Sequence, residues 1–241
     1  MQNNSIDLID LKIRALRIGF DAAARAGKIP LMRRLLLKSR FVHLPLKKIH
    51  ETLPRSGLII ELGCGHGILS QAVKHLSPAR TLAGGELSID RLHLAAQLSR
   101  LQNLSIPLFA ARAQKVPIKQ NRVDAVLIAE VLYLMPFDDQ AVVLQEVRRV
   151  VKPGGLIVCC EPVKNKSAGS ISQRLLSAML THLAKFPGGR NLFGARQDGA
   201  PFLHTHESLI ELFSENQFVI EHSSLLGHTW FPLVLVVARK Q

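Results

Sequence analysis

Residues 59–67 read Ile59-Ile60-Glu61-Leu62-Gly63-Cys64-Gly65-His66-Gly67, an apolar strand that ends in an acid and enters a turn with three alternate glycines. Nothing else in the chain constrains its fold as tightly. Only a residue without Cβ lets the backbone turn sharply after a strand and bring its N–H groups against a ligand. The helix formers Ile68-Leu69-Ser70-Gln71-Ala72-Val73 follow directly, so the electropositive N-terminus of a helix points at whatever the loop holds. This is the pattern of a nucleotide-binding loop in an α/β fold.

The spacing separates two cofactor classes. A dinucleotide fingerprint places glycines at its first, third and sixth positions, with Gly or Ala last for close helix packing. Here the sixth position is Ile68. A second strand, Thr81-Leu82-Ala83-Gly84-Gly85-Glu86, ends in an acid 21 residues beyond Gly65, where a carboxylate can accept both ribose hydroxyls of an adenosine. Ser88 then suits the N-cap of the following helix.

With Glu61 two residues before the first glycine, residues 56–162 and 205–241 resemble the class I S-adenosylmethionine-dependent methyltransferases, specifically the type 11-like branch that acts on small molecules and lipids. Glu86-Leu87-Ser88 matches that family's ribose motif, and Asp124 stands where its fourth strand opens. Residues 145–158 contain Arg149-Val150-Val151-Lys152-Pro153-Gly154-Gly155, similar to the ending of the family's fourth helix, and are expected to form a helix stopped by Pro-Gly-Gly before a buried strand. The resemblance implies that S-adenosylmethionine is held by Glu61, Gly63, Cys64, Gly65, Gly67, Glu86, Leu87, Arg112, Ala113, Gln114, Ala129 and Glu130. One position departs from the pattern. Arg112 stands where the family usually carries Asp, and a guanidinium cannot accept a hydrogen bond from the adenine amino group, which leaves that contact to the backbone of Ala113 or the Gln114 amide.

A capped helix over residues 205–213 and strands over 217–222 and 231–239 look like the family's closing hairpin. The expected fold is therefore an α/β, Rossmann-like seven-stranded sheet of order 3-2-1-4-5-7-6, strand 7 antiparallel, with helices on both faces, an N-terminal helical extension and a helical insertion after strand 5. Residues 1–55 form the extension and residues 56–241 the methyltransferase domain, with a substrate lid at 163–204. Ligands in such sheets sit at the carboxyl ends of the strands, near the switch point between strands 1 and 4. Gly63, Glu86 and Glu130 are expected there.

The chain has 241 residues, 47% of them hydrophobic, enough for one large core. No apolar run reaches the roughly 18 residues a membrane span needs, and Asp7 and Asp10 do not fit a signal peptide, so the sequence points to a cytoplasmic protein. Cys64, Cys159 and Cys160 lack the spacing of a disulfide framework or a zinc site. His204 and His206 have no companion cluster, so no metal is expected.

The charge is unevenly placed. Of the formal +13, residues 1–55 carry +8 and residues 163–204 carry +5, while the remainder is balanced. Such a field favours an anionic partner. Ile9, Ile13, Leu16 and Phe20 share one helical face, and Pro30 suits the first position of a second helix, residues 31–41, that mixes apolar and basic residues. These helices can lie on an anionic membrane as a peripheral contact, or simply dock on the protein's own core. The insertion contains an amphipathic helix at residues 170–185 and a glycine-rich stretch at 186–194, which suits either a lid or a dimer contact.

Methyl transfer from S-adenosylmethionine is an in-line displacement that needs alignment, exclusion of water and, for a hydroxyl acceptor, removal of a proton. His66, Glu130 and Tyr133 are candidate catalytic residues, with His204 and His206 nearby in the expected mouth. Three readings follow. The first is an enzyme acting on a small or lipid-like anionic acceptor, free, membrane-bound or presented by an acidic carrier protein. The second is an RNA methyltransferase, disfavoured by one Trp, one Tyr and no Asn-Pro-Pro-Tyr-like motif at Ala129-Glu130-Val131-Leu132. The third is a cofactor-binding scaffold without catalysis, hinted at by Arg112.

Overall fold

The computed structural model describes residues 7–164, 201–226 and 232–241. The amphipathic helix expected at residues 170–185 and the glycine-rich stretch after it lie outside these residues. The chain divides into two compact units, one ending at Arg112 and one beginning at Ala113.

In the first unit, helices α1 (Leu8–Ala26), α2 (Leu31–His43) and α3 (Leu46–Thr52) precede β1 (Gly57–Leu62), α4 (Ile68–Leu76), β2 (Arg80–Glu86), α5 (Ile89–Leu101) and the short β3 (Leu108–Ala110). β2 pairs in parallel with both β1 and β3. The Asp7 side chain caps α1 by accepting from the Ile9 N–H at 2.8 Å. Pro30 is the N-cap of α2 rather than its first residue, one position earlier than the sequence suggests; its extended ψ of 143° keeps it outside the helix.

The N-terminal helices are built into this unit. α1 packs on α2, α3, α4 and α5, and α3 on α4. Leu16 and Phe20 are buried as the helical spacing requires, with Phe20 tilted against Phe41 at 5.4 Å between ring centroids, while Ile9 and Ile13 are half-buried. The Arg80 guanidinium, buried at the start of β2, closes the end of α3. Its Nε donates to the Pro54 carbonyl at 2.7 Å and its Nη2 to those of His50 and Leu53 at 2.7 and 3.0 Å.

The second unit contains β4 (Val123–Ala129), a 3-10 turn (Leu132–Leu134), α6 (Phe137–Val150), β5 (Val151–Pro162), α7 (His206–Glu215), β6 (Phe218–Leu226) and β7 (Leu233–Lys240). β4 and β5 are parallel, and β7 inserts antiparallel between β5 and β6. The strands follow the order β3-β2-β1-β4-β5-β7-β6, as the sequence predicts, with strand 7 antiparallel.

Two local expectations are corrected. α6 ends at Val150, and β5 begins at once, so Lys152-Pro153-Gly154-Gly155 lies inside the strand. The ladder there shifts between Val123 and Ala125, which absorbs the extra residues on β5. Lys152 reaches Asp124 Oδ1 at 2.5 Å, and a Cβ on Gly155 would lie 3.0 Å from the Asp124 carbonyl oxygen, so this motif seals the start of β4 against β5. The first closing strand is longer than predicted, running to Leu226, and β7 starts at Leu233 and continues to Lys240. The buried Lys240 ammonium donates to the carbonyls of Arg148 and Val151 and to Asn121 Oδ1 at 2.6 to 2.8 Å, closing the C-terminal end of α6.

Candidate functional site

At the end of β1, Gly63, Gly65 and Gly67 all adopt positive φ, at 68°, 54° and 73°. An L side chain rarely takes this conformation, which explains the alternate glycines. The Cys64 N–H donates to the Gly85 carbonyl at 3.0 Å and the Gly67 N–H to the Cys64 carbonyl at 2.8 Å, so the loop is fastened to the end of β2. Two of the glycines have different tasks. A Cβ on Gly67 would come within 3.1 Å of the Ala95 Cβ and 3.2 Å of Gln71 Nε2, so this glycine lets α4 approach α5. A Cβ on Gly65 would meet nothing within 4 Å among the described residues, which leaves that backbone open to a ligand.

Glu86 belongs to the same construction. One carboxylate oxygen accepts the Gly65 N–H at 2.9 Å, the other accepts the Ser88 N–H at 2.9 Å, and the Arg91 guanidinium lies 3.9 Å away. The carboxylate is buried, yet each oxygen keeps a second lone pair for another donor. The loop and the acid, read as two separate signals in the sequence, are thus one hydrogen-bonded unit.

Glu61 lies deeper. It is buried and accepts a hydrogen bond from the Ser70 hydroxyl of α4. Burial pushes its carboxyl up to about 7, against the hydrogen bond from Ser70, which favours the charged form. The folded chain therefore holds a proton between about pH 4.5 and 7 that the unfolded chain has released, and the stability it carries is lost as pH rises through that window. The melting temperature is expected to fall as pH rises from about 5 to about 8, and Glu61→Gln to flatten part of that fall. An unchanged slope in the variant would mean that Glu61 is not the group that titrates.

His66 is buried within the loop, and Leu87 and Arg112 are exposed. Burial raises the Cys64 thiol far above its ordinary range, so it lines the loop as an apolar group and not as a nucleophile. Gly67, the N-cap of α4, supplies no side-chain acceptor, and the Ser70 N–H is taken by Glu61, which leaves the N–H groups of Ile68 and Leu69 without an intrahelical partner.

In the second unit, Ala113 and Gln114 are half-buried and precede Val116, whose N–H and carbonyl are both held by α6. Glu146 Oε1 accepts the Val116 N–H at 2.6 Å, and Arg149 Nη2 donates to the Val116 carbonyl at 3.1 Å. At the end of β4, Ala129 is buried and Glu130 takes a left-handed φ of 57°. A non-glycine residue there costs about 1–2 kcal/mol and marks a backbone bent to serve a site. Its N–H still donates to the Cys160 carbonyl at 2.9 Å.

The residue that fixes this turn escapes the sequence reading. Glu161, at the end of β5, is buried and accepts the N–H groups of Val131, Leu132 and Tyr133 at 2.8, 3.1 and 3.3 Å. Burial pushes its carboxyl up to about 7 against the pull of these three donors. Tyr133, Glu161, Phe202 and His204 line one shallow depression with Leu132, Pro162 and Leu209.

His204 has both ring nitrogens engaged. Nε2 faces Gln140 Oε1 at 2.8 Å and Nδ1 faces the Ser208 hydroxyl at 3.0 Å, while Gln140 Nε2 donates to the carbonyls of Met135 and Phe202. Because the Gln140 amide nitrogen is committed to carbonyls, its oxygen faces His204 and places the ring proton on Nε2. Burial lowers the imidazole's pKa and keeps it neutral. His204 therefore joins α6, α7 and the chain entering α7. His206 takes a different partner, Ser223 Oγ at 3.2 Å.

Among known proteins, the family described as "Methyltransferase domain" matches residues 60–159. The ubiquinone/menaquinone biosynthesis C-methyltransferase UbiE of Desulfotalea psychrophila is 32% identical over 115 residues, 46% of this chain and 45% of that protein. The dimethylglycine N-methyltransferase of Parasynechococcus marenigrum is 27% identical over 146 residues, 60% of this chain and 50% of the relative. The chain spans about half the length of the curated relatives it matches. The solved structure of a SAM dependent methyltransferase from Aquifex aeolicus superposes with a TM-score of 0.62 at 13% identity, covering 84% of this chain and 93% of that one. The fold is that of the class I S-adenosylmethionine-dependent methyltransferases, and residues 60–159 match the methyltransferase-domain family.

Proposed function

We propose that this protein transfers the methyl group of S-adenosylmethionine to a small, lipid-like and anionic acceptor. One observation carries the cofactor reading: the left-handed glycine loop is open over Gly65, and its Gly65 N–H is held by the same Glu86 carboxylate that ends β2. These residues fit the cofactor chemically. The first N–H groups of α4, those of Ile68 and Leu69, suit its carboxylate, and the remaining lone pairs of Glu86 suit its ribose hydroxyls. Ala113 and Gln114 are the candidates for the adenine edge, since Arg112 is exposed and has no acceptor to offer.

When bound, S-adenosylmethionine supplies a methyl group already activated on a sulfonium. The protein then has to orient the acceptor and keep water away. Glu130 and Tyr133, on the bent segment after β4, are our candidates for positioning the acceptor or taking a proton from it; His66 is more suited to shaping the loop in which it is buried. The lipid-like, anionic character is supported by the basic excess in residues 1–55 and 163–204 and by the likeness to a quinone-biosynthesis C-methyltransferase.

Calorimetric titration with S-adenosylmethionine tests the cofactor, and methyl transfer to demethylated precursors of ubiquinone and menaquinone, to anionic lipids and to RNA tests the acceptor. Saturable binding near one equivalent with transfer to a lipid-like acceptor is expected. Absence of binding would remove the enzymatic reading; transfer to RNA alone would replace the acceptor.

A further inference from the structure

α1 is amphipathic twice over. Its inner face buries Leu16, Phe20, Ala23 and Ala24 in the first unit. The opposite face would be polar on a helix that simply meets water. Instead Leu8, Leu11 and Ile18 are 66%, 46% and 72% exposed, and with the exposed Ala15 and Ala22 they fall within about 80° of the helix circumference. The exposed side chains of Arg14 and Arg25 flank this stripe on one side and that of Lys12 on the other. The acids of the helix, Asp10 and Asp21, lie on the Arg17 side, away from Leu8, and Asp21 is neutralised by Arg25 at 2.6 Å and Lys38 at 3.2 Å. On α2, the exposed Leu31, Leu35 and Val42 likewise fall within about 40°.

We infer that the outer face of α1 docks the protein on an anionic lipid bilayer. Each side-chain type has its place in such an interface. The leucines and the isoleucine enter the boundary between headgroups and acyl chains, while the arginines and the lysine keep their charges among the lipid phosphates and lay their methylene stems along the surface. The charge decides between occupants. Residues 1–55 hold 12 Lys or Arg and 4 acids, so two copies of this face repel one another, whereas an anionic surface attracts it. No helix among the described residues is long and apolar enough to cross a membrane, so the attachment is peripheral. The docking stands apart from the methyl-transfer reading, which gives it a use: an acceptor held in the bilayer would be met at the surface.

The test is co-sedimentation of the full chain with vesicles of phosphatidylcholine alone and of phosphatidylcholine mixed with phosphatidylglycerol, at low and high salt. The wild-type protein is expected to sediment with the anionic vesicles and stay in the supernatant with the neutral ones. The Leu11→Gln/Ile18→Gln variant should bind at least about tenfold more weakly with unchanged thermal unfolding and S-adenosylmethionine affinity. Lys12→Gln/Arg14→Gln should bind more weakly at low salt and differ little from wild type at high salt, where the charges are screened. No binding by the wild type, or equal binding by Leu11→Gln/Ile18→Gln, would overturn the proposal. So would a dimer, seen by sedimentation equilibrium, that the same variant dissociates, since the face would then belong to a second copy. Vesicle binding without S-adenosylmethionine binding would leave the docking intact and remove the enzymatic reading.

Discussion

Replacing Glu86 by alanine is expected to weaken S-adenosylmethionine binding by about two orders of magnitude, from the loss of charge-assisted hydrogen bonds each worth about 1.5–3 kcal/mol. The loss has two sources. In the proposed cofactor site the carboxylate accepts from the ribose, and it also holds the Gly65 and Ser88 N–H groups that set the loop and the start of α5. Glu86→Gln separates them, because the amide oxygen can still accept one of these N–H groups while the charge is gone. Calorimetry on the wild type and both variants should therefore give a graded series, with glutamine between glutamate and alanine. Equal affinity in all three would show that the cofactor does not use this carboxylate.

The largest loss of stability is expected at Glu161. Its replacement by alanine strands the buried N–H groups of Val131 and Leu132 and the half-buried one of Tyr133. A single orphaned buried donor costs about 1–3 kcal/mol, so a destabilisation of about 3–5 kcal/mol is expected after partial relaxation. Urea unfolding measures it. Glu161→Gln keeps one acceptor oxygen but turns an amide N–H₂ toward the same donors, so it should fall between the two. Because burial raises the Glu161 carboxyl to about 7, the gap between the wild type and Glu161→Gln should narrow as pH rises from about 5 to about 8, as the wild type loses the proton it binds only when folded. Loss of less than about 1 kcal/mol in the alanine variant would mean that the turn after β4 finds other acceptors.

The fold was legible where local pattern and ligand chemistry agree. Glycine spacing and the Ser88 and Thr205 caps depend on residues close in sequence, and the structure has the glycines left-handed and the two side chains capping α5 and α7. The charged groups that lock the elements together were not legible. Arg80, Glu161 and Lys240 read as charges at strand ends, which are usually solvated. Each is buried because carbonyls or N–H groups distant in sequence require it: Arg80 closes α3, Lys240 closes α6, and Glu161 caps the turn beyond β4. One signal did exist for Glu161. An acid directly after the apolar run Leu156-Ile157-Val158-Cys159-Cys160 must find donors if the strand is central. The N-terminal helices were read with two open outcomes, and both faces of α1 now bear on the answer: one docks inward as a core helix does, and the other leaves Leu8, Leu11 and Ile18 uncovered.

The position of β7 bears on how the chain acquires its shape. β5 finds its antiparallel neighbour only in Leu233–Lys240, after the whole of α7 and β6. During synthesis the open edge of β5, with Ile157, Val158, Cys159 and Cys160, waits for a partner still on the ribosome. Pairings this remote in sequence form slowly and leave unpaired strand edges prone to aggregation. Nascent chains halted before β7 should therefore be captured by chaperones or precipitate, and emergence of Leu233–Lys240 is the event that covers β5.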